Sequence, residues 1–357
     1  GKVAMYFYGE LSKQPQSIGA FTANGIQQNT AAAKGKGSGL FLNYKTLRNE
    51  KIEIKVGLSY TSVANAQNNF KAESAGLTFD QAKTQAQQIW QQELSKIKVE
   101  GTNEQDKIKF YTGLYHALLG RGVASDVNGA YPMHGGLTGK LTSTGSSKPE
   151  FLNTDAIWGG YWNLTQLWAL SYPQMYENFV NTQLQLYKDK GWFADGVANS
   201  EFVSGVGTNM VGIAIAGAYQ AGIRNYDVNL AYEAVKAGEL NWQNRPVGTG
   251  KMDVKAFLTH KYSPFLDQDK TDSTGSHFAV SHTLEYSFSA FAAAQMAKAL
   301  GKNDDYQKLI SYSNGWKSVF NPQSKLMQPK KADGTFINKF NPYEPWRGFQ
   351  EGNAVQY

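Results

Sequence analysis

Along the first sixty or so residues, apolar and polar positions alternate. The stretches KVAMYFYGEL, GSGLFLNY and KIEIKVGLSYTSV carry period-two alternation or β-branched runs, with Gly, Asn and Ser between them. That pattern predicts half-buried strands. The intervening NGIQQNTAAAKGKGSG reads as a loop. Three strands alone leave an open face. Up to about Ala64, the chain is therefore expected to be the tail of a larger sheet domain.

After Asn65 the period changes to that of helices. Leu77–Ile97 has Asp80 as an N-cap or first-turn acid and apolar positions at Ala82, Ile89, Trp90, Leu94 and Ile97. Glu104–Leu119 follows, with Ile108, Tyr111, Leu114, Tyr115 and Leu118 on one side. YWNLTQLWALSYPQMYENFVNTQLQLYKD holds a helix, a break at Pro173 and a second helix. Gly205–Gly222 is rich in small residues, which suits close helix contact. Asp227 caps the next helix, VSHTLEYSFSAFAAAQMAKALG stops at Gly301, and a last helix starts on Asp304 or Asp305. Long polar loops alternate with these helices, without heptads or a short exact repeat. Paired helices with loops at one end suggest an α/α barrel, and a bundle or α-solenoid is the alternative.

Composition narrows the function classes. There are no cysteines, which excludes disulfide scaffolds, thiolate zinc sites and cysteine nucleophiles. The formal charge is +6, but the lysines are spread among acids and amides with no basic block. Nucleic acid is not an expected partner. No apolar run approaches the roughly 20 residues of a membrane span, and no signal peptide is visible at the start. Aromatics make up 13% of the residues. They serve as core material, or as the flat faces that stack on the C–H side of a pyranose.

The candidate chemistry follows from short stretches. The five histidines, His116, His134, His260, His277 and His282, form no HxxxH or HExxH pair, so a zinc site is not expected. No GxSxG elbow is present, and SGVGTNMVG is better read as tight helix packing than as a nucleotide loop. Asp126 and Asn128 in ASDVNGAY resemble half of a calcium loop, but turn chemistry explains them equally well. In IWGGYWNLTQLW, Trp158, Trp162 and Trp168 surround Asn163 and Gln166, a mixture that suits a polyol ligand. In PWRGFQEGNAVQY, Glu351 lies near Trp346, Gly348 and Gly352. Glycosidic cleavage needs a protonated carboxyl at the leaving oxygen. Nearby glycines would let a substrate approach the backbone, and a tryptophan would lower the local dielectric. A capping or salt-bridged glutamate fits the same residues.

Taken together, FYTGLYHALLGRGVASDVNGAY, SHTLEYSFSAFAAAQMAKALGKNDDY and GFQEGNAVQY, with IWGGYWNLTQLWAL and GWFADGVANSEFVSGVGTNMVGIAIAGAYQAGIRNYD in order between them, resemble glycoside hydrolase family 92. Its members are calcium-dependent, inverting exo-α-mannosidases, largely from bacteria that degrade glycans. The resemblance implies a mainly α fold, an (α/α)6 barrel preceded by an N-terminal β-sandwich. Residues 1–64 would then be the end of the sandwich, 65–100 a linker helix and 101–357 an incomplete barrel, so the chain looks like a fragment. It implies Glu351 as general acid, Trp162, Asn163, Gln166 and Trp346 at the sugar, and Ca2+ as cofactor with ligands unassigned. The implied partner is a glycan with terminal α-mannose, in a bacterial extracellular, periplasmic or outer-membrane-associated setting.

Some positions depart from the family pattern. Val355 stands where a tryptophan is usual. Asn163 and Gln166 stand where many members have the Asp and Arg of a W-D-T-Y-R motif, and NSEFVSGVGTN replaces a segment with Glu-Thr. The family's base aspartates and its G-N-E-P segment have no counterpart in this sequence. A divergent branch is expected. A non-catalytic glycan-binding protein on the same scaffold is the alternative, and an α/α-barrel hydrolase of α-glucosides ranks behind both.

Overall fold

The computed structural model describes residues 4–120, 122–141, 150–154, 157–193, 196–198, 200–202, 209–250 and 252–357. They fall into two compact units, Ala4–Glu93 with Asp126–Asn128, and Leu94–Ser125 with Gly129–Tyr357.

In the first unit, β1 (Tyr6–Leu11) pairs antiparallel with β5 (Ile54–Ser59). β2 (Ser17–Thr22) lies between β3 (Gly25–Gln28) and β4 (Gly39–Asn43), also antiparallel. β3 falls inside the stretch expected to be a loop. Gly25 supplies the left-handed turn that folds it back on β2, with φ 121°. α1 (Val63–Glu73) starts at Ser62, whose hydroxyl accepts the Asn65 N–H, and packs on β1 and β5. α2 (Phe79–Leu94) completes the unit. Where the sequence suggested a linker at 65–100, the compact units divide at Glu93.

Asp126 closes this unit from a distance in sequence. Its carboxylate is buried, accepting the Thr61 hydroxyl at 2.5 Å and the Asn69 amide at 2.7 Å, while Asn69 Oδ1 accepts the Val127 N–H at 2.9 Å. The carboxylate oxygens thus fasten α1, and the stretch is a structural clamp instead of half a calcium loop.

The second unit is helical: α3 (Glu104–Leu118), α4 (Leu164–Ser171), α5 (Pro173–Lys190), α6 (Met210–Gln220), α7 (Val228–Leu240), α8 (Val254–His260), α9 (Ala279–Ala299), α10 (Asn303–Tyr312) and α11 (Trp316–Val319). Pro173 opens α5 at its first position, where a missing N–H costs nothing. Trp168 is fully buried against Tyr176 and Phe179, so it is core and not ligand surface. α9 packs on α6, α7 and α10. Small residues at Ala290, Ala293, Ala294 and Ala297 let these neighbours approach closely. The glycine-rich residues 203–208 and most of the departure at 199–209 lie outside the described residues.

Asp227 caps α7 as the sequence predicts, its side chain accepting the Leu230 N–H at 2.9 Å. Asp227→Ala is expected to cost about 1 kcal/mol of stability. An unchanged urea midpoint would show that the cap contributes nothing.

Candidate active site

The site is built on the first turns of α9. A helix start leaves N–H groups without intrahelical partners, and the residue before α9, Phe278, offers no side-chain cap. The loop carrying Glu351 meets that need. The Gly348 carbonyl accepts the Val280 N–H at 2.9 Å, and the Ser281 hydroxyl accepts the Gln350 N–H at 2.8 Å. Gly348 N–H donates to the His277 carbonyl at 2.8 Å, and Trp346 N–H closes the loop on the Gly352 carbonyl at 3.0 Å. Helix start and loop thus hold each other.

Within this loop Trp346 and Glu351 both have left-handed backbones, φ 67° and 56°. For residues other than glycine this costs about 1–2 kcal/mol each, and such strain persists only where the surroundings fix it. The two glycines serve the backbone. At Gly348 (φ 90°) a Cβ would come 2.2 Å from Pro329 Cγ, and at Gly352 it would come 3.0 Å from the Tyr357 ring. Their role is close packing and turn geometry, where the sequence had suggested access for substrate. Beneath the loop, Phe349 and Ala354 join Tyr262, Val280 and Val319 in an apolar cluster. Val355 is exposed and takes no part in it.

Glu351 itself is exposed, and among the described residues its carboxylate makes no hydrogen bond or ion pair. Among the described residues it thus neither caps a helix nor forms a salt bridge. Tyr357 reaches back under it, its hydroxyl donating to the Gln350 carbonyl at 2.9 Å. Burial raises the Tyr357 phenol above its ordinary pKa, with the Glu285 and Glu351 charges adding to the rise against a lowering contact from Ser281. Tyr161 is pushed up to about 12, by burial first, then by Glu285 and Tyr357. Both phenols stay protonated hydrogen-bond donors at neutral pH. Tyr161, Glu285, Tyr357 and Glu351 thus form one electrostatic neighbourhood.

The sugar-binding candidates are placed as follows. Trp162 is 71% exposed and its ring lies 4.9 Å from that of Tyr161, which leaves a face available for stacking. Asn163 occupies the N-cap position of α4 without capping it, and its side chain is exposed. Gln166 is tied locally, donating to the Tyr161 carbonyl at 3.2 Å. Trp346 is 49% exposed and meets Phe278 edge-on at 6.0 Å. The structure brings the acid loop and the Tyr161–Trp162 segment together through α9. Sequence reasoning missed Tyr161, Ser281, Glu285 and Tyr357. A lone acid in an otherwise apolar and small-residue helix was the one available signal for Glu285. Among the described residues no group of three or more His, Asp and Glu side chains is placed to hold a metal ion.

Comparison with known proteins decides the family. The model of the glycosyl hydrolase family 92 catalytic domain matches residues 65–357. The chain belongs to glycosyl hydrolase family 92. Its fold is similar to a family 92 inverting mannosidase of Bacteroides thetaiotaomicron, with a TM-score of 0.88 at 21% identity, over 99% of this chain and 46% of that one. A family 92 α-mannosidase of the same organism gives 0.84 at 22% identity, again over 99% and 46%. These likenesses support the α/α-barrel fold preceded by sandwich strands. A protein of Arthroderma benhamiae described as an uncharacterized secreted glycosidase is 24% identical over 327 residues, which is 88% of this chain and 36% of that protein. The chain therefore spans less than half the length of the family 92 proteins it matches. Among the described residues no helix is long and apolar enough to cross a membrane.

Proposed function

We propose that this chain carries the acid-bearing part of an exo-acting, inverting α-mannosidase that hydrolyses terminal α-mannosides of glycans. The observation that carries this reading is the held, strained loop that presents Glu351, whose carboxyl is unpaired among the described residues, in the motif that the resemblance aligns with the family's acid. As the bond between the anomeric carbon and the glycosidic oxygen breaks, Glu351 gives its proton to that oxygen. A water attacks the anomeric carbon from the opposite face and loses its proton to a base. That base is assigned to no residue of this sequence. Trp162 offers an apolar face to the sugar ring, and Asn163 offers amide hydrogen bonds in place of a carboxylate.

Calcium as cofactor rests on the family resemblance alone. The described residues provide no cluster of three ionisable ligands, and no step here is routed through the metal. An exported bacterial protein is the setting that fits glycan breakdown. The mannosidase is tested with the native protein, its intact mass measured first, by following mannose release and its anomeric configuration by NMR. Release of β-mannose from an α-mannoside is expected, with activity lost in excess chelator and restored by Ca2+. Full activity in chelator would remove calcium from the reading. A second reading, a glycan-binding protein without turnover, is favoured by the neutral Asn163 and Gln166. Sugar binding with no release of mannose would establish it.

A further inference from the structure

α9 brings a second carboxylate to the site. Ser281, Glu285 and Phe288 are spaced by four and three residues, so they line one face of the helix. The two ends of this stripe are anchored. Ser281 accepts the Gln350 N–H at 2.8 Å, next to Glu351, and the Phe288 ring lies 6.0 Å from Tyr161, next to Trp162. Glu285 stands between these anchors on the helix, half-buried. Its charge acts on both Tyr161 and Tyr357. The adjoining face of the helix is committed to the core through His282, Tyr286 and Ser289.

We propose that Glu285 is a sugar-binding residue that accepts hydrogen bonds from hydroxyls of the terminal sugar and restricts the site to uncharged sugars. This rests on the reading of the site as a glycosidase subsite. A carboxylate has two oxygens and only accepts, so vicinal hydroxyls suit it. Protonated phenols at Tyr161 and Tyr357 add donors, and Trp162 covers the C–H face. The Glu285 carboxylate disfavours a uronate or a sugar phosphate through like-charge repulsion.

The test is direct binding, read from tryptophan fluorescence and saturation-transfer NMR, of mannose, glucose, galactose, glucuronate and mannose 6-phosphate to the native protein. A neutral sugar is expected to bind and both anionic ones to be rejected. Glu285→Gln should weaken the neutral sugar by about ten- to a hundred-fold, the range for hydrogen bonds to a charged group. Glu285→Asp, which keeps the charge, should lose less. Binding of glucose or galactose but not mannose, still weakened by Glu285→Gln, would sink the mannosidase and keep Glu285. Unchanged affinity in Glu285→Gln, tight uronate binding, or no binding of any neutral sugar would overturn the proposal. If Glu285→Gln does not fold, the folded Asp variant decides it: an undiminished affinity together with uronate binding refutes the role.

Discussion

Glu351→Gln should lower turnover by about 10²- to 10⁴-fold on an α-mannoside with an alkyl or sugar leaving group, the usual contribution of a general acid. The amide keeps the size of the side chain and its exposed position but has no proton to give. The loss should depend on the leaving group. A fluoride or dinitrophenyl mannoside departs without protonation, so its rate should fall far less. Substrate affinity should hold, because the loop is fixed to α9 through its own main-chain groups and not through the Glu351 side chain. Steady-state kinetics of the native protein and the variant on both substrate types provide the check. Equal losses on both, or a collapse of binding, would mean that Glu351 shapes the loop instead of delivering a proton.

Much of the scaffold behind this prediction was legible in the sequence. The change from period two to helical period near residue 65 marks the point where the family model begins its match. The Pro173 break and the Asp227 cap are local signals, and local signals survive in the structure. β3 was hidden because Gln27, Gln28 and their neighbours are exposed, so no apolar alternation marks the strand. In the site, Glu351 and Trp162 were legible as residue types in unusual company. Glu285 was not, because α9 is buried on most of its faces and lacks the polar contrast that would single out one side. The link from Ser281 to Gln350 spans 69 residues, and no local pattern encodes it. The function of the two loop glycines was misread for a related reason. Their neighbours, Pro329 and Tyr357, become neighbours only on folding.

The second large effect is expected beneath the site, at a residue that touches no substrate in this reading. Asp253 is fully buried at the start of α8. It accepts hydrogen bonds from the Ser263 hydroxyl, from His282 Nδ1 at 3.0 Å and from the Tyr286 hydroxyl at 3.0 Å. Beside it, Thr283 Oγ1 accepts the Ser263 N–H at 2.9 Å. These contacts fasten the core face of α9, and the adjoining face carries Ser281 and Glu285. Asp253→Ala would remove the acceptor that these three buried donors share and would open a cavity. Removing one partner of a buried charged network costs about 3–5 kcal/mol, a large share of the roughly 5–15 kcal/mol that holds a domain together. Asp253→Asn keeps one acceptor oxygen and should cost less. Urea unfolding followed by tryptophan fluorescence gives the measurement, with the Ala variant expected to unfold at a much lower midpoint. Because α9 positions the acid loop, activity lost in the folded Asn variant should exceed its loss of stability. An Ala variant as stable as the parent would show that the network is dispensable and that α9 is held by packing alone.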